Sequence, residues 1–228
     1  MSWMTRTLGS SIGAKAVMAI TGIALIGFVI AHMAGNLLVF AGKEAFNDYA
    51  EMLQSLGALL WVARIGLLAA VALHIGSAIR LNKLNAAARP VAYRVITPSV
   101  SSYATRTMKY SGYIMFAFIV YHLLHFTLGV TDPEAYALTE TVDGVKRHDV
   151  YAMVVSGFKN PIVSVSYIVA MLLLSMHLSH GVSSLFQSLG VNHPKYNDAI
   201  AKVGPAVGAL VALGFISIPA GVLAGVVS

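Results

Sequence analysis

Cysteine is absent from the 228-residue chain. That excludes disulfides, thiolate metal sites, iron–sulfur ligation and covalently attached c-type haem. Charge is scarce as well: Asp, Glu, Lys and Arg make up 11% of residues, against about 25% in a soluble domain. With 57% hydrophobic residues and a mean hydropathy of +0.76, the chain reads as a membrane protein. None of its nine acidic residues lies deep in an apolar stretch, which argues against a carboxylate proton relay through the membrane. A cleavable signal is not expected, because the first apolar run is too long for a signal core and lacks a small-x-small site before the next charge. Any cofactor must be held by something other than sulfur, and eight histidines are available.

A bilayer-crossing helix needs about 20 apolar residues. Five stretches meet that requirement, at 15–41, 56–80, 109–130, 161–188 and 203–227. They predict an all-α membrane protein with five transmembrane helices in one membrane domain over 1–228. The fifth, "AVGALVALGFISIPAGVLAGVV", has no histidine and is rich in small residues, which lets helices pack closely in lipid. Ten cations (Arg6, Lys15, Arg80, Lys83, Arg89, Arg94, Arg106, Lys109, Lys195 and Lys202) fall on the amino-terminal side of the spans. Four (Lys43, Lys146, Arg147 and Lys159) fall on the other. The bias predicts a cytoplasmic amino terminus and an outer carboxyl terminus. The inner loop 81–108, with "RLNKLNAAARPVAYR", reads either as topogenic charge on anionic headgroups or as a dock for a soluble partner. The outer loops "GKEAFNDYAEMLQSLG" and "DPEAYALTETVDGVKRHDVYAMVVSGFKNP" are each expected to end in an amphipathic stretch along the outer surface. His148 and His193, in loops, are expected to be solvated.

Six histidines remain, all inside predicted spans: His32, His74, His122, His125, His177 and His180. Ionisable residues within a membrane are rare and usually functional. Two segments echo each other, "TGIALIGFVIAH" at 21–32 and "SGYIMFAFIVYH" at 111–122. Each is a small hydroxyl residue, a glycine, nine apolar or aromatic residues and a histidine. At about 1.5 Å per residue, His32 lies about 25 Å beyond Lys15 and His122 about 20 Å beyond Lys109, both in the outer half. His74 lies about 9 Å before Arg80, and His177 ten residues before Gln187, both in the inner half. Two pairs at two depths suit stacked haems with two axial imidazoles each better than zinc, which takes four tetrahedral ligands or three plus water. Gly22 and Gly112 lie about 15 Å inward of the outer pair. They serve either to let a second macrocycle approach the backbone or simply to pack helices.

In "TGIALIGFVIAHMAGN", "GKEAFN", "LHIGSAIRL", "SGYIMFAFIVYH" and "MHLSHGVSSLFQSLG", taken in order and over roughly residues 10–190, the chain resembles a known family. This is the five-helix, dihaem cytochrome b membrane anchor of succinate:quinone oxidoreductases, including the related quinol:fumarate reductases. The resemblance implies a multi-pass protein of the bacterial cytoplasmic membrane, its first four helices bundled around two stacked b haems. It implies a flavoprotein subunit carrying FAD and an iron–sulfur subunit docked on the cytoplasmic face. Menaquinone or another quinone would be the substrate, with electrons passing through the inner and then the outer haem. By position, His32 and His122 are the outer-haem ligands, and His74 and His177 the inner. His177 fits the family pattern H-x-x-x-G with Gly181, and His122 closes the [ST]-G-x9-H pattern. His125 and His180, one turn on, would bond propionates or quinone, or act as alternative ligands. Some relatives carry a glutamate two residues before the fourth-helix ligand, linked to transmembrane proton movement; here Ser175 stands there.

Arg64, the one charge well inside a span, either snorkels to outer headgroups or meets outer-haem propionates or a quinone carbonyl. Arg80 joins the candidate cofactor contacts at the inner end, and Asn36 those of a quinone near the outer haem. Other functions compete. One is the cytochrome b subunit of a different membrane oxidoreductase. Another is a haem-free proton-coupled transporter, for which inverted repeats and broken helices would be expected.

Overall fold

A computed structural model describes residues 10–88, 103–191 and 193–228. Arg6, Arg89 and Arg94 of the topogenic set lie outside them. Helix α1 spans Ser11–Asn36, with the Ser10 hydroxyl accepting the Gly13 N–H at 3.0 Å. It tightens into a 3-10 turn at Leu37–Ala41. Next come α2 (Lys43–Ser55) and α3 (Ala58–Ala87). Helix α4 (Tyr103–His122) runs straight into a π turn at Leu123–Thr127. The short α5 (Pro133–Tyr136), strands β1 (Thr139–Val142) and β2 (Val145–His148) and α6 (Val150–Lys159) follow. Helices α7 (Pro161–Ser188) and α8 (Pro194–Leu223) complete the chain. Starts are written in the sequence. Asp132, Asn160 and His193 cap α5, α7 and α8 through their side chains, each followed by a proline in the first turn, where the missing N–H costs nothing.

Four helical segments are long and apolar enough to cross a membrane: Ser11–Ala41, Ala58–Ala87, Pro161–Ser188 and Pro194–Leu223. The fifth expected crossing, at 109–130, coincides with most of α4 and its π turn. That helix has 20 residues and carries Arg106 and Lys109 in its first half.

The long helices associate in two groups. Helix α3 packs along α1, while α4 packs along α7, which in turn carries α8. The α7–α8 contact is backbone-close: a Cβ at Gly204 would meet the Ser179 carbonyl and the Ser183 hydroxyl, and one at Gly208 the Ser175 carbonyl. Small residues thus do in α8 what their abundance suggested, and the Ser175 backbone forms part of that contact. Between the groups, α1 touches α7 and α8, leaving a seam with α1 and α3 on one side and α4 and α7 on the other.

The largest buried apolar cluster is not at mid-bundle but at one end, where Val39, Phe46, Phe158, Tyr167, Ile218 and Val222 meet. Helix α6 turns Met153, Val154, Val155 and Phe158 into this cluster, buries Gly157 and leaves Ser156 and Lys159 exposed. One sequence expectation needs correction. The architecture is not purely α, since β1 and β2 form an antiparallel hairpin in which Val142 pairs with Val145. Its two-residue turn, Asp143–Gly144, has φ of 51° and 79°. Positive φ at both positions favours Asp-Gly, and the turn twists as the strands do.

Polar groups lock this cap. Asn47, 1% exposed, donates to Glu140 Oε1 at 2.8 Å and Asp149 Oδ1 at 3.0 Å, and accepts the Tyr151 N–H at 2.8 Å. Lys43 pairs with Glu140 at 3.0 Å and Asp149 at 2.6 Å. Arg147 bridges Asp48, Glu51 and Glu140 at 2.7–2.8 Å. Helix α2, the hairpin and α6 are thereby tied together. Burial opposes ionisation of Asp149, but hydrogen bonds from Lys43, Asn47 and the Ala152 N–H outweigh it and hold the carboxyl below its ordinary range. For Glu140, burial is likewise overcome by Lys43, Asn47 and Arg147.

Carboxyls with depressed folded pKa values stabilise above the unfolded pKa and lose that contribution as pH falls through the folded value. Acidification below about pH 4 is therefore expected to loosen the hairpin first, read as faster proteolysis within 139–149. Asn47→Ala should do the same at neutral pH. It costs about 1–3 kcal/mol for a buried partner left unsatisfied, seen as faster amide exchange over 139–159 with α7 and α8 unchanged.

Candidate functional site

The seam is where the histidines meet. His32, near the end of α1, faces His122, the last residue of α4, with ring centroids 5.8 Å apart and planes at 81°. Aromatic rings enclose them: Phe28 stacks on His32 at 5.3 Å and Phe215 of α8 lies 5.8 Å away. Phe118 and Phe126 flank His122, each at 5.9 Å. The Asn36 amide donates to the His32 carbonyl at 2.7 Å and lies 3.3 Å from its Nδ1.

A second pair lies one level away. His74 of α3 and His180 are both within electrostatic reach of His177 on α7. His74 Nδ1 is 3.3 Å from the Thr21 hydroxyl of α1, and His177 Nδ1 is 3.2 Å from the Ser111 hydroxyl of α4. A Cβ on Gly22 would sit 3.7 Å from His74 Cε1, and one on Gly112 3.9 Å from His177 Cε1. The glycines of the repeat therefore lie at the level of His74 and His177, beside these imidazoles, and the repeat's histidines at the other level. Each level takes one histidine from each side of the seam.

Other candidates sit differently. His125 is 4% exposed and turns away from the seam: its Nδ1 is 3.0 Å from the Tyr167 hydroxyl, it stacks on Phe126 at 3.9 Å, and Gly157 of α6 lies against its other edge. A π turn there is a common device for re-aiming a functional side chain. Tyr167 also reaches His122 Nδ1 at 3.5 Å. Arg80 lies exposed toward the C-terminal end of α3. Arg64 is exposed over the Trp61 ring at 5.1 Å and lines a cavity of 450 Å3 together with Gln54, Leu60, Tyr136 and His148. His148 differs from expectation. It is half-buried, lies 5.1 Å from Tyr136, and its Nε2 is enclosed without a hydrogen-bond partner.

Among the described residues no group of three or more His, Asp or Glu could hold a metal ion. What the seam offers instead is paired imidazole nitrogen donors, with His32 and His122 facing each other in aromatic surroundings. That donor set suits a metal whose remaining positions a macrocycle fills, as in a bis-histidine b haem, and the ring-side glycines leave room beside the imidazoles. Three contributors were not assigned roles from sequence: Thr21, Ser111 and Tyr167. For the first two the signal was present, as the opening letter of the repeat. Tyr167 carries no such mark.

A family model described as succinate dehydrogenase/fumarate reductase transmembrane subunit matches residues 85–217, more than half of the chain. The match takes in Ser111, His122, Tyr167 and His177. No curated protein and no solved structure gives a significant match.

Tyr167→Phe removes the hydroxyl that His125 Nδ1 faces inside the cap. Leaving that buried nitrogen unsatisfied should cost about 1–3 kcal/mol, measured as a lower unfolding midpoint in detergent, with helix content unchanged at ambient temperature.

Proposed function

Starting from a chain that belongs to the succinate dehydrogenase/fumarate reductase transmembrane subunit family, we propose that it is the dihaem cytochrome b anchor of a succinate:quinone oxidoreductase. The family is a transmembrane, haem b- and quinone-binding subunit that carries electrons in complexes with flavoprotein and iron–sulfur partners. The finer reading is that His32 and His122 hold the outer haem and His74 and His177 the inner. The observation that carries it is the two-level meeting of histidines across the seam, with one imidazole from each side at each level. Once bound, the haems supply one-electron carriage between the partners and the quinone.

The chain's own residues do the rest. Imidazole nitrogens bind, the surrounding phenylalanines exclude water, and the hydroxyls and Tyr167 orient the rings. Flavin and iron–sulfur chemistry come from FAD-bearing and cluster-bearing subunits, because the chain carries no dinucleotide-binding fingerprint for flavin and no cysteine for clusters. Those partners dock on the cytoplasmic face at the basic 81–108 loop, with α4 as the third crossing, the amino terminus inside and the carboxyl terminus outside a bacterial cytoplasmic membrane. Menaquinone or a related quinone is taken up at the cavity beside Arg64. There the Arg64 guanidinium would hydrogen-bond a carbonyl oxygen, and Trp61 and Tyr136 would line the ring's surroundings.

Redox-resolved optical spectra of four single variants test the ligand pairs. His32→Ala and His122→Ala should lose the same low-spin component, and His74→Ala and His177→Ala the other. Loss of one shared component by His32→Ala and His74→Ala would overturn the pairing. The purified chain alone should not oxidise succinate, whereas addition of the flavoprotein and iron–sulfur subunits should establish succinate-to-quinone electron transfer. Activity from the isolated chain would remove the anchor reading.

A further inference from the structure

We infer that Thr21 and Ser111 are positioning residues for the inner histidine pair, fixing each imidazole as the Nδ1–H tautomer and leaving Nε2 as the ligating atom. The inference rests on the dihaem reading above and adds to it how the inner ligands are set.

The argument begins with one hydrogen. A hydroxyl carries a single donor and two acceptor lone pairs. Within a helix, Ser and Thr commonly give that donor to a carbonyl one turn back. Thr21 donates to the Val17 carbonyl at 2.7 Å, with Met18 at 3.2 Å, and Ser111 donates to the Met108 carbonyl at 3.0 Å. Each oxygen then has only lone pairs to offer the imidazole beside it, at 3.3 Å for His74 and 3.2 Å for His177. The hydrogen in that contact must therefore come from Nδ1. Both hydroxyl residues are buried, at 8% and 4% exposure. The glycine that follows each one lies beside the same ring, where an added Cβ would meet Cε1 at 3.7 Å and 3.9 Å. A lone back-bonded hydroxyl would be unremarkable in a membrane helix. Here the same two-residue unit occurs on both sides of the seam, α1 acting on its packing partner α3 and α4 on α7.

The outer pair is addressed by other groups: the Asn36 amide beside His32 and the Tyr167 phenol beside His122. Loss of a hydroxyl should therefore be felt at one level only. Hydrogen bonding from a ligand's second nitrogen raises its basicity and favours the ferric ion, so its removal should raise the inner-haem potential.

The test uses the full chain assembled with its partner subunits, with Ser111→Ala and Thr21→Val as removals and Ser111→Thr and Thr21→Ser as restorations. Optical redox titration of wild type should resolve two components. Ser111→Ala should shift the inner one toward the reduced form by about tenfold at a fixed ambient potential, which is about 59 mV for one electron. The outer component should stay in place, and Ser111→Thr should return the inner one. Thr21→Val should act in the same direction. An unmoved inner component, equal shifts of both, or failure of Ser111→Thr to restore would overturn the inference while the dihaem reading stands. Wild type without two haem components would overturn both. If Ser111→Ala fails to assemble, 15N spectra of the histidine-labelled wild-type chain decide: His177 protonated at Nδ1 supports the inference, and at Nε2 refutes it.

Discussion

An imidazole placed in hydrocarbon must find a partner for each of its nitrogens, because an unsatisfied polar group there costs several kcal/mol. Most of what is unusual in this chain follows from that constraint. Four histidines on four long helices cannot be left to solvent, so each helix group supplies something for them. Thr21 serves α3 from α1, and Ser111 serves α7 from α4. His125, a fifth, is turned by a π turn into the cap, where Tyr167 meets it. One nitrogen of His74 and one of His177 are thereby met by a hydroxyl from the neighbouring helix.

The capped end provides rigidity where the bundle does not. Helix α3 has few neighbours within the chain, and Leu81 is its one buried residue. Around α6, by contrast, buried side chains are dense, and an ion-pair network holds the hairpin over α2. Apolar burial and buried, satisfied polar groups there set where α4 ends and α7 begins, and so where His122 and Tyr167 stand. The membrane-facing surface of the bundle needs no such reinforcement, since exposed apolar side chains are already solvated by lipid tails.

Much of this was legible in the sequence. Charge-free runs marked the long helices, and the small residues of the last helix marked a close contact. The histidines could be sorted by depth because helix rise is fixed. What escaped depended on neighbours in space. The hydroxyls of Thr21 and Ser111 opened the repeat but carried no role until α3 and α7 were seen beside them. Helix α6 looked amphipathic by composition, but which elements its apolar side meets, α2, α7 and α8, could not be read from it. His148 sat in a charged loop and was assigned to water, but the hairpin folds it under Tyr136. The Asp143–Gly144 turn was readable in principle, but two four-residue strands make a weak signal amid so much helix.

The repeat on α1 and α4 also works as a ruler. Its hydroxyl and its histidine are eleven residues apart, about 16 Å along an α-helix and close to three full turns, so both ends look into the same seam. The vertical spacing of the two levels is therefore not negotiated by loops or by packing; it is carried in the covalent repeat of two rigid rods standing on opposite sides. One residue inserted between Gly22 and His32 would swing the histidine about 100° around the helix while leaving Thr21 on His74. The two levels would then be uncoupled in register although every side chain were still present.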